Sequence, residues 1–256
     1  MSADPVKVWL ERDGSLLRLR LARPKANVLD AAMSHSLAAA LDAHRGNHGL
    51  LGVLIDHEGP HFSFGASVEE HLPERCAEML AGFHGLLYRM LEWPKPILVC
   101  AKGQCLGGGL ELAAAGSLLF VAPETRLGQP EIRLGVIAPA ASVLLPMRIG
   151  QGRAEDLLYS GRSIDGATAL AWGLAAGLAD DPAAAAAAYF DEHLSGKSAA
   201  SIACAVHAAR SPLAALVRVR LEEVESLYLE TVMATRDANE GLNAFIEKRQ
   251  PRWEHR

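Results

Sequence analysis

Short apolar segments alternate with longer amphipathic ones through the first half of the chain, and this alternation limits the folds open to it. Residues 16–21 alternate apolar and polar side chains with the period of two that is typical of a strand. Asp30 can cap the helix that we expect to follow it. We predict strands at residues 16–21, 50–56, 97–100 and 118–121, and helices at residues 31–44, 73–92 and 110–115. Strands and helices in this order indicate an α/β fold with parallel strands and helical crossovers.

The pattern becomes helical after about residue 140. Predicted helices there cover residues 153–159, 166–172, 182–193, 199–210, 212–235 and 237–249. The chain shows no internal repeat and no linker-like segment. We therefore predict a β/α catalytic core over residues 1–195, followed by a helical C-terminal region over residues 196–256.

The composition argues against several kinds of partner. The 256 residues carry a formal net charge of −5, which disfavours nucleic acid or an anionic membrane as the main partner. No apolar run approaches the roughly 20 residues that cross a bilayer. Residues 1–14 are too rich in charge to supply the apolar core of a secretory signal. The cysteines form no C-x-x-C pair, so a reduced, cytoplasmic setting without a membrane is the economical interpretation.

Two glutamates beside glycine or proline are the candidate catalytic pair. Glu111 ends a G-G-G-L-E run at residues 107–111, and Glu131 ends a G-Q-P-E run at residues 128–131. The apolar segment between the two runs can return the chain to the neighbourhood of Glu111. Two carboxyl groups that face one cavity can divide acid and base roles if their surroundings separate their pKa values. The glycines beside them let backbone N–H groups approach a developing negative charge.

Each of these features also has a simpler structural interpretation. A glutamate near a helix start favours the helix dipole, one after a proline can be a solvated turn residue, and a triple glycine can serve helix packing. Phe245 can be a core aromatic and Lys248 a solvated charge. The H-E-G-P-H run at residues 57–61 matches the H-E-x-x-H pattern of zinc proteases. Gly59 and Pro60 disfavour the helix that such a metal site needs, so we predict no metal.

Five segments, in this order, resemble the motifs of the crotonase (enoyl-CoA hydratase/isomerase) superfamily. They comprise an N-terminal CoA loop, two oxyanion loops, a second catalytic segment and a C-terminal helix, at residues 22–29, 61–67, 103–112, 128–131 and 240–249. The resemblance covers nearly the whole chain. It implies a crotonase-like β/α superhelix of ββα repeats, with a helical C-terminal trimerisation region.

The resemblance also implies roles for individual residues. Backbone N–H groups of Ala66 and Gly108 would form an oxyanion hole for a thioester oxygen. Glu111 and Glu131 would hold one water molecule, one taking its proton and the other giving a proton to carbon. The residues implied to bind CoA or the acyl group are Lys25, Ala26, Val28, Gly65, Ser67, Val68, Pro130, Pro139, Phe245 and Lys248. CoA is then part of the substrate, no separate cofactor is implied, and the assembly is a homotrimer or a hexamer formed by two trimers.

Two departures from the family pattern concern the acyl pocket. Ser67 stands where many family hydratases carry Asp, and Pro139 with neighbouring alanines replaces a glycine-rich turn. A stiffer pocket of this kind is compatible with a compact cyclic acyl group. The leading hypothesis is a hydratase of an α,β-unsaturated acyl-CoA, most specifically a cyclic dienoyl-CoA. The alternatives are an ordinary enoyl-CoA hydratase, a double-bond isomerase, or a crotonase-fold module that binds RNA or a protein without catalysis.

Overall fold

The computed structural model describes residues 4–256, and the first three residues of the charged N-terminal segment lie outside this range. Within it, the strands are β1 Val6–Glu11, β2 Leu16–Leu21, β3 Gly52–His57, β4 Ile97–Ala101, β5 Gln104–Leu106, β6 Leu118–Val121, β7 Arg126–Gly128, β8 Ser163–Ile164 and β9 Gly177–Leu178. The α-helices are α1 Ala31–His44, α2 Cys76–Leu91, α3 Gly108–Ala115, α4 Pro139–Ile149, α5 Gln151–Ser160, α6 Gly166–Trp172, α7 Pro182–His193, α8 Ala199–Ser226 and α9 Arg236–Ile246.

The strands form two sheets, one of six strands and one of three. The larger sheet has the order β1-β2-β3-β4-β6-β9, and every pair in it is parallel except β1 with β2. The smaller sheet has the order β5-β7-β8, with β5 and β7 parallel. Parallel neighbours joined by helices confirm the predicted α/β class. The antiparallel edge strand β1 was not anticipated, because the sequence argument considered residues 1–14 only for their charge.

The core lies on both faces of the parallel strands. One face packs against α1 and α2 through residues such as Leu19, Ile55 and Leu87. The other face packs against α7, where Phe190 is fully buried beside Leu54. The helix α1 has the predicted bounds, since the Asp30 carboxylate accepts a hydrogen bond from Met33 N at 2.8 Å and so caps it.

The helix α8 corrects the sequence prediction of two helices. It runs without a break through Pro212, and a π-helical turn over Leu227–Val232 extends it. Proline removes one helical hydrogen bond, but Val217 and Leu221 on the same helix are fully buried in the main core and hold it in place. Leu221 is therefore a core residue, although Leu216 on the same helix is exposed.

The composition argument about membranes also needs correction. The helical segment Ala199–Val232 is long and apolar enough to cross a bilayer by length and composition alone. That property is weak evidence for a membrane, because core helices of soluble proteins meet the same test. Its Ile202 packs in the core cluster around Phe190.

The helix α4 is a further element that the sequence analysis missed. The segment 135–142 was compared only with a family turn, but Pro139 is the first residue of a helix. Proline suits that position, since its fixed φ is helical and its missing N–H would have no helical partner. The start of α4 lies against α3, which places its backbone beside Glu111.

Candidate active site

Two backbone N–H groups meet where the loop before Ser67 reaches the start of α3. A Cβ atom placed on Gly108 would lie 3.2 Å from the nitrogen of Ala66, so the two peptide groups are immediate neighbours. Among the residues that the structure describes, neither N–H donates to an acceptor. Gly108 is in the first turn of its helix, where N–H groups have no helical partner. The two groups together can bind one oxygen that gains negative charge.

Glycines are required at this junction because other backbone and side-chain atoms come too close for a side chain. Gly65 has φ +101°, and a Cβ there would lie 2.9 Å from the carbonyl oxygen of Leu106. Gly107 has φ +52°, and a Cβ there would lie 2.5 Å from Oε1 of Glu131. The Ser63 hydroxyl secures the loop, since it accepts from Gly65 N at 3.0 Å and donates to the carbonyl of Asn27 at 2.8 Å.

Glu111 lies in the first turn of α3 and is buried. The backbone N–H of Ala141, in the first turn of α4, donates to its Oε1 at 2.7 Å. Burial raises the pKa of Glu111, while the Ala141 hydrogen bond and the charge of His84 act in the opposite direction. The start of α4 therefore favours the ionised form of this carboxyl group.

Glu131 opens a short 3-10 turn, Glu131–Leu134, that follows β7 and Pro130. Burial first, and then the charge of Glu111, raises the pKa of Glu131 to about 8. When its side-chain amide nitrogen is turned toward Glu131, Gln129 donates to both carboxyl oxygens, at 3.1 and 3.0 Å. Turned the other way, its oxygen can accept from the protonated acid, so this buried amide suits both states of the carboxyl group.

The two glutamates therefore share a site but not an environment. Like charges in one cavity do not ionise together without cost, so the second proton leaves the pair only at higher pH. Glu111 has a helix start as donor, and Glu131 faces the charge of Glu111. These contacts act in the direction that favours a proton on Glu131 over one on Glu111.

One cavity of about 410 Å³ brings these groups together. Of the residues predicted from the sequence, it is lined by Gly65, Ala66, Val68, Gly108, Glu111, Pro130, Glu131, Pro139 and Phe245. Apolar side chains complete most of the wall, among them Met79, Leu80, Phe83, Val136 and Ile137. A larger open groove of about 750 Å³ lies beside Arg18 and Asp56 and contains neither glutamate. The smaller cavity therefore contains the candidate catalytic groups.

Five predicted residues do not line this cavity: Lys25, Ala26, Val28, Ser67 and Lys248. The first three belong to the loop before α1, which is tied to the cavity by a hydrogen bond from Phe64 N to the carbonyl of Ala26, 2.9 Å long. The Ser67 hydroxyl donates to Glu69 instead. Lys248 is exposed after α9, three residues beyond Phe245. Their roles in holding CoA stay predictions.

The H-E-G-P-H run does not form the helix that a zinc site would need. His57 ends β3, and Gly59 adopts φ +78° in the turn that follows. The histidine at the end of the run binds the backbone instead, since His61 Nδ1 accepts a hydrogen bond from Gln104 N at 3.2 Å. Over residues 4–256, no cluster of three His, Cys, Asp or Glu side chains is arranged to hold a metal ion.

Sequence reasoning missed four polar residues at or near the cavity, one of which is Arg133. Gln129 lies inside a motif that was recognised, so its contact with Glu131 could have been suspected. His71 lines the cavity from the 3-10 turn Val68–His71. Tyr228, in the π-helical turn after α8, packs against His71 and does not itself line the cavity. No local pattern marks Tyr228, because tertiary packing brings it there.

Comparisons with known proteins agree with this site. Residues 11–256 match the family model described as enoyl-CoA hydratase/isomerase. The chain is 61% identical over 255 residues to cyclohexa-1,5-dienecarbonyl-CoA hydratase of Thauera aromatica, covering 100% of this chain and 99% of that protein. It is 34% identical to a probable enoyl-CoA hydratase of Bacillus subtilis, covering 92% and 93% of the two chains.

A solved structure extends the likeness to the fold. The crystal structure of carnitinyl-CoA hydratase from Mycobacterium avium superposes with a TM-score of 0.85 at 26% identity, covering all of both chains. The sequence and structural likenesses both span the two glutamates and the paired N–H groups. This chain belongs to the enoyl-CoA hydratase/isomerase family and has its crotonase fold.

Proposed function

We propose that this enzyme adds water to cyclohexa-1,5-diene-1-carbonyl-CoA and forms 6-hydroxycyclohex-1-ene-1-carbonyl-CoA. The observation that carries this proposal is the full-length identity of 61% to a hydratase of that name. The cavity supports it, since two glutamates in different electrostatic surroundings face the same space as two unpaired N–H donors. The resemblance further implies a place in the anaerobic breakdown of benzoyl-CoA.

The first step uses Glu111 as the base. Its carboxylate takes a proton from water, and the water oxygen bonds to the β-carbon of the diene. The electron pair of that double bond moves toward the thioester, and the resulting negative charge lies on its oxygen. The N–H groups of Ala66 and Gly108 stabilise this charge, an interaction for which one lost donor typically costs about 3–4 kcal/mol.

The second step uses Glu131 as the acid. The dienolate extends over the ring, so Glu131 gives its proton to the γ-carbon, which lies across the ring from the carbon that was attacked. The remaining double bond is then conjugated with the thioester, and the net reaction is a 1,4-addition. The pair holds one proton before the reaction, on Glu131, and one proton after it, on Glu111. Proton exchange with water then returns the proton to Glu131.

The shape of the pocket decides which carbon receives the proton. Ile137, Ala138 and Pro139 line the cavity that the two glutamates share, at the start of α4. These residues stand where a glycine-rich turn was expected, and the helix start at Pro139 makes the segment rigid. A flat ring suits this wall better than a flexible chain.

The remaining properties are also proposals. Acid and base catalysis by two carboxyl groups needs no cofactor beyond the CoA of the substrate. Leu216, Val219 and Leu227 are exposed apolar residues along α8 and its extension, which supports an oligomer, a homotrimer or a hexamer. All four cysteines are free, and three of them are buried, which supports a reduced, cytoplasmic setting.

The test compares two substrates under identical conditions. We expect kcat/KM for the cyclic diene to exceed that for crotonyl-CoA by at least about a hundredfold, the scale on which a shaped pocket separates acyl groups. The product is identified by mass and by its retained enoyl absorbance. Equal or better use of crotonyl-CoA would leave only a general hydratase, and a shifted double bond without added water would indicate an isomerase.

A further inference from the structure

The segment 250–256 follows α9 and runs back along it. The carboxylate of Glu240, in the middle of the helix, accepts a hydrogen bond from Arg252 N at 2.8 Å. The carboxylate of Asp237, in the first turn of the helix, accepts from Glu254 N at 2.7 Å. Later residues of the segment thus bind earlier residues of α9, and two carboxylates hold the segment against the helix.

Trp253 of this segment lies where α9 meets the turn that carries the catalytic acid. A Cβ atom on Gly135 would lie 3.1 Å from Cζ3 of the indole ring, and one on Gly241 would lie 2.9 Å from Cη2. Gly135 ends the turn Glu131–Leu134, and Gly241 belongs to α9. The indole therefore lies against both elements, in the space that two missing side chains leave. Trp253 is 39% exposed, so it covers this contact from the outside.

Beneath the indole, α9 and the turn approach each other at the backbone. A Cβ on Gly241 would lie 2.1 Å from the carbonyl oxygen of Leu134, and one on Gly135 would lie 2.7 Å from the carbonyl oxygen of Asp237. Only glycine permits so close an approach. Leu134 is partly buried in a small hydrophobic cluster with Val136, separate from the main core. The position of the turn therefore depends on its fit to α9.

The same turn contacts the start of α3 through its catalytic residue. A Cβ on Gly107 would lie 2.5 Å from Oε1 of Glu131. The carbonyl of Glu131 accepts from Val136 N at 3.3 Å, and Gly135 N donates to the carbonyl of Ile132 at 3.1 Å. These bonds join both ends of the turn, so a movement at Gly135 also moves Glu131.

We propose that Trp253 is a positioning residue for Glu131, and that the segment 250–256 holds the turn Glu131–Leu134 between α9 and the start of α3. Trp253 does not line the cavity, so it acts through the turn. Its effect is to keep the Glu131 carboxyl buried beside Glu111. This inference rests on the proposed function, in which Glu131 gives its proton to carbon. A reacting group displaced by about 1 Å can lose about a hundredfold in rate, so a contact outside the pocket matters for catalysis.

The first measurement is the titration of Glu131 in Trp253→Ala. In protein labelled with ¹³C at the glutamate carboxyl carbons, the Glu131 signal is the one that Glu131→Gln lacks. Without the indole, the turn loosens and the Glu131 carboxyl gains contact with water. Because burial is the main cause of its raised pKa, the signal should titrate at least about half a pH unit lower than in the unaltered chain. Trp253→Phe keeps a ring at this position and should restore most of the difference.

Steady-state rates with the diene give the second measurement. Trp253→Ala should lower kcat about tenfold and leave KM within about twofold, because the acid is misplaced while the predicted CoA contacts are not. The alkaline limb of kcat/KM should move to lower pH together with the Glu131 signal. A loss of folded protein alone would lower the rate and leave that limb in place.

A second variant releases the segment without changing the indole. Glu240→Ala removes the acceptor of Arg252 N and should lower the titration of Glu131 by a smaller amount. It keeps the test valid if Trp253→Ala does not fold. The hydrogen bond from Arg249 holds the pKa of Glu240 at about 2, so Glu240 stays ionised while Glu131 titrates.

Two control variants should leave the Glu131 titration unchanged. Glu247→Ala removes an equal charge that pairs with the same Arg249, but Glu247 makes no hydrogen bond to the segment 250–256 within residues 4–256. Trp9→Ala removes a half-buried indole from the edge strand β1, outside the cavity.

The inference is overturned if the Glu131 signal titrates at the same pH in Trp253→Ala as in the unaltered chain, or if Trp9→Ala moves it as far. It is also overturned if kcat stays unchanged while the signal moves. The NMR titration uses neither the diene nor turnover. Failure of the proposed function is therefore recorded separately, as absence of diene hydration by the unaltered enzyme.

Discussion

The start of α3 and the turn after β7 carry the same residue type to the same cavity, but they treat it differently. Glu111 belongs to a buried helix and receives a backbone hydrogen bond from the start of α4. Glu131 follows a proline in a short 3-10 turn and faces the charge of Glu111. The hydrogen bond from Ala141 favours the anion at Glu111, whereas the charge of Glu111 favours the neutral acid at Glu131. In the proposed mechanism, acid and base roles come from the neighbouring backbone and charges, not from residue identity.

Removing either carboxyl group tests the comparison most severely. Glu111→Gln and Glu131→Gln should each lower kcat by at least about a hundredfold, since each substitution removes the carboxyl group that one proton transfer needs. KM should change little, because the predicted CoA contacts lie elsewhere. Steady-state rates with the diene give the values. The double variant should lose far less than the product of the two single losses, since both groups serve one reaction. Full activity in either single variant would refute the two-glutamate mechanism.

Displacing Glu131 without removing it should have a smaller effect. A methyl group in Gly107→Ala would overlap the Glu131 carboxyl and force alanine to adopt φ +52°. We expect kcat to fall by about tenfold or more while Glu111 stays in place. Gly46→Ala is the matched control, since a Cβ there meets nothing within 4 Å. Equal rates in both variants would show that Glu131 does not need its position over Gly107.

The pH dependence of kcat/KM should separate the two roles. The acid must be protonated, so activity should fall as the pH rises through about 8, the pKa of Glu131. The base must be ionised, so activity should fall at low pH, below a pKa of Glu111 that is raised above its ordinary value. In Glu131→Gln the residual activity should lose its alkaline limb. If the alkaline limb persisted in Glu131→Gln, the group that causes it would not be Glu131.

The smallest expected effect is on stability. Because the pKa of Glu131 is raised on folding, its ionisation opposes the folded state as the pH rises from about 4.5 to about 8. Glu131→Gln should therefore be more stable than the parent at about pH 9, by about 1–2 kcal/mol after allowance for contact with solvent in the cavity. The difference should vanish near pH 4, about where both forms are neutral. Thermal unfolding at the two pH values measures it.

Local signals made part of this molecule predictable. The cap at Asp30 and the apolar period after it gave α1 its bounds, because both act within one helical turn. The glycines at residues 107–109 predicted a close approach of backbone to ligand, and two of them have neighbours that exclude a side chain. The glutamate pair was predicted for a chemical reason, and the structure brings both to one cavity.

The parts that could not be predicted depend on distant contacts. The hydrogen bond from Ala141 to Glu111 joins residues thirty positions apart and exists only because α4 starts at Pro139. The continuity of α8 through Pro212 follows from burial of Val217, which outweighs the local preference of proline. Tyr228 approaches the site through a π-helical turn that no sequence period indicates. The sequence therefore predicted that the two glutamates share one site but not the surroundings that distinguish them.

Direct titration of the two glutamates tests the central claim. In protein labelled with ¹³C at the glutamate carboxyl carbons, one NMR signal should titrate near pH 8 and should be absent in Glu131→Gln. In Glu111→Gln the same signal should remain and titrate at lower pH, since the charge that raises its pKa is gone. The account would be contradicted if the high titration disappeared in Glu111→Gln and persisted in Glu131→Gln, because Glu111 would then hold the proton.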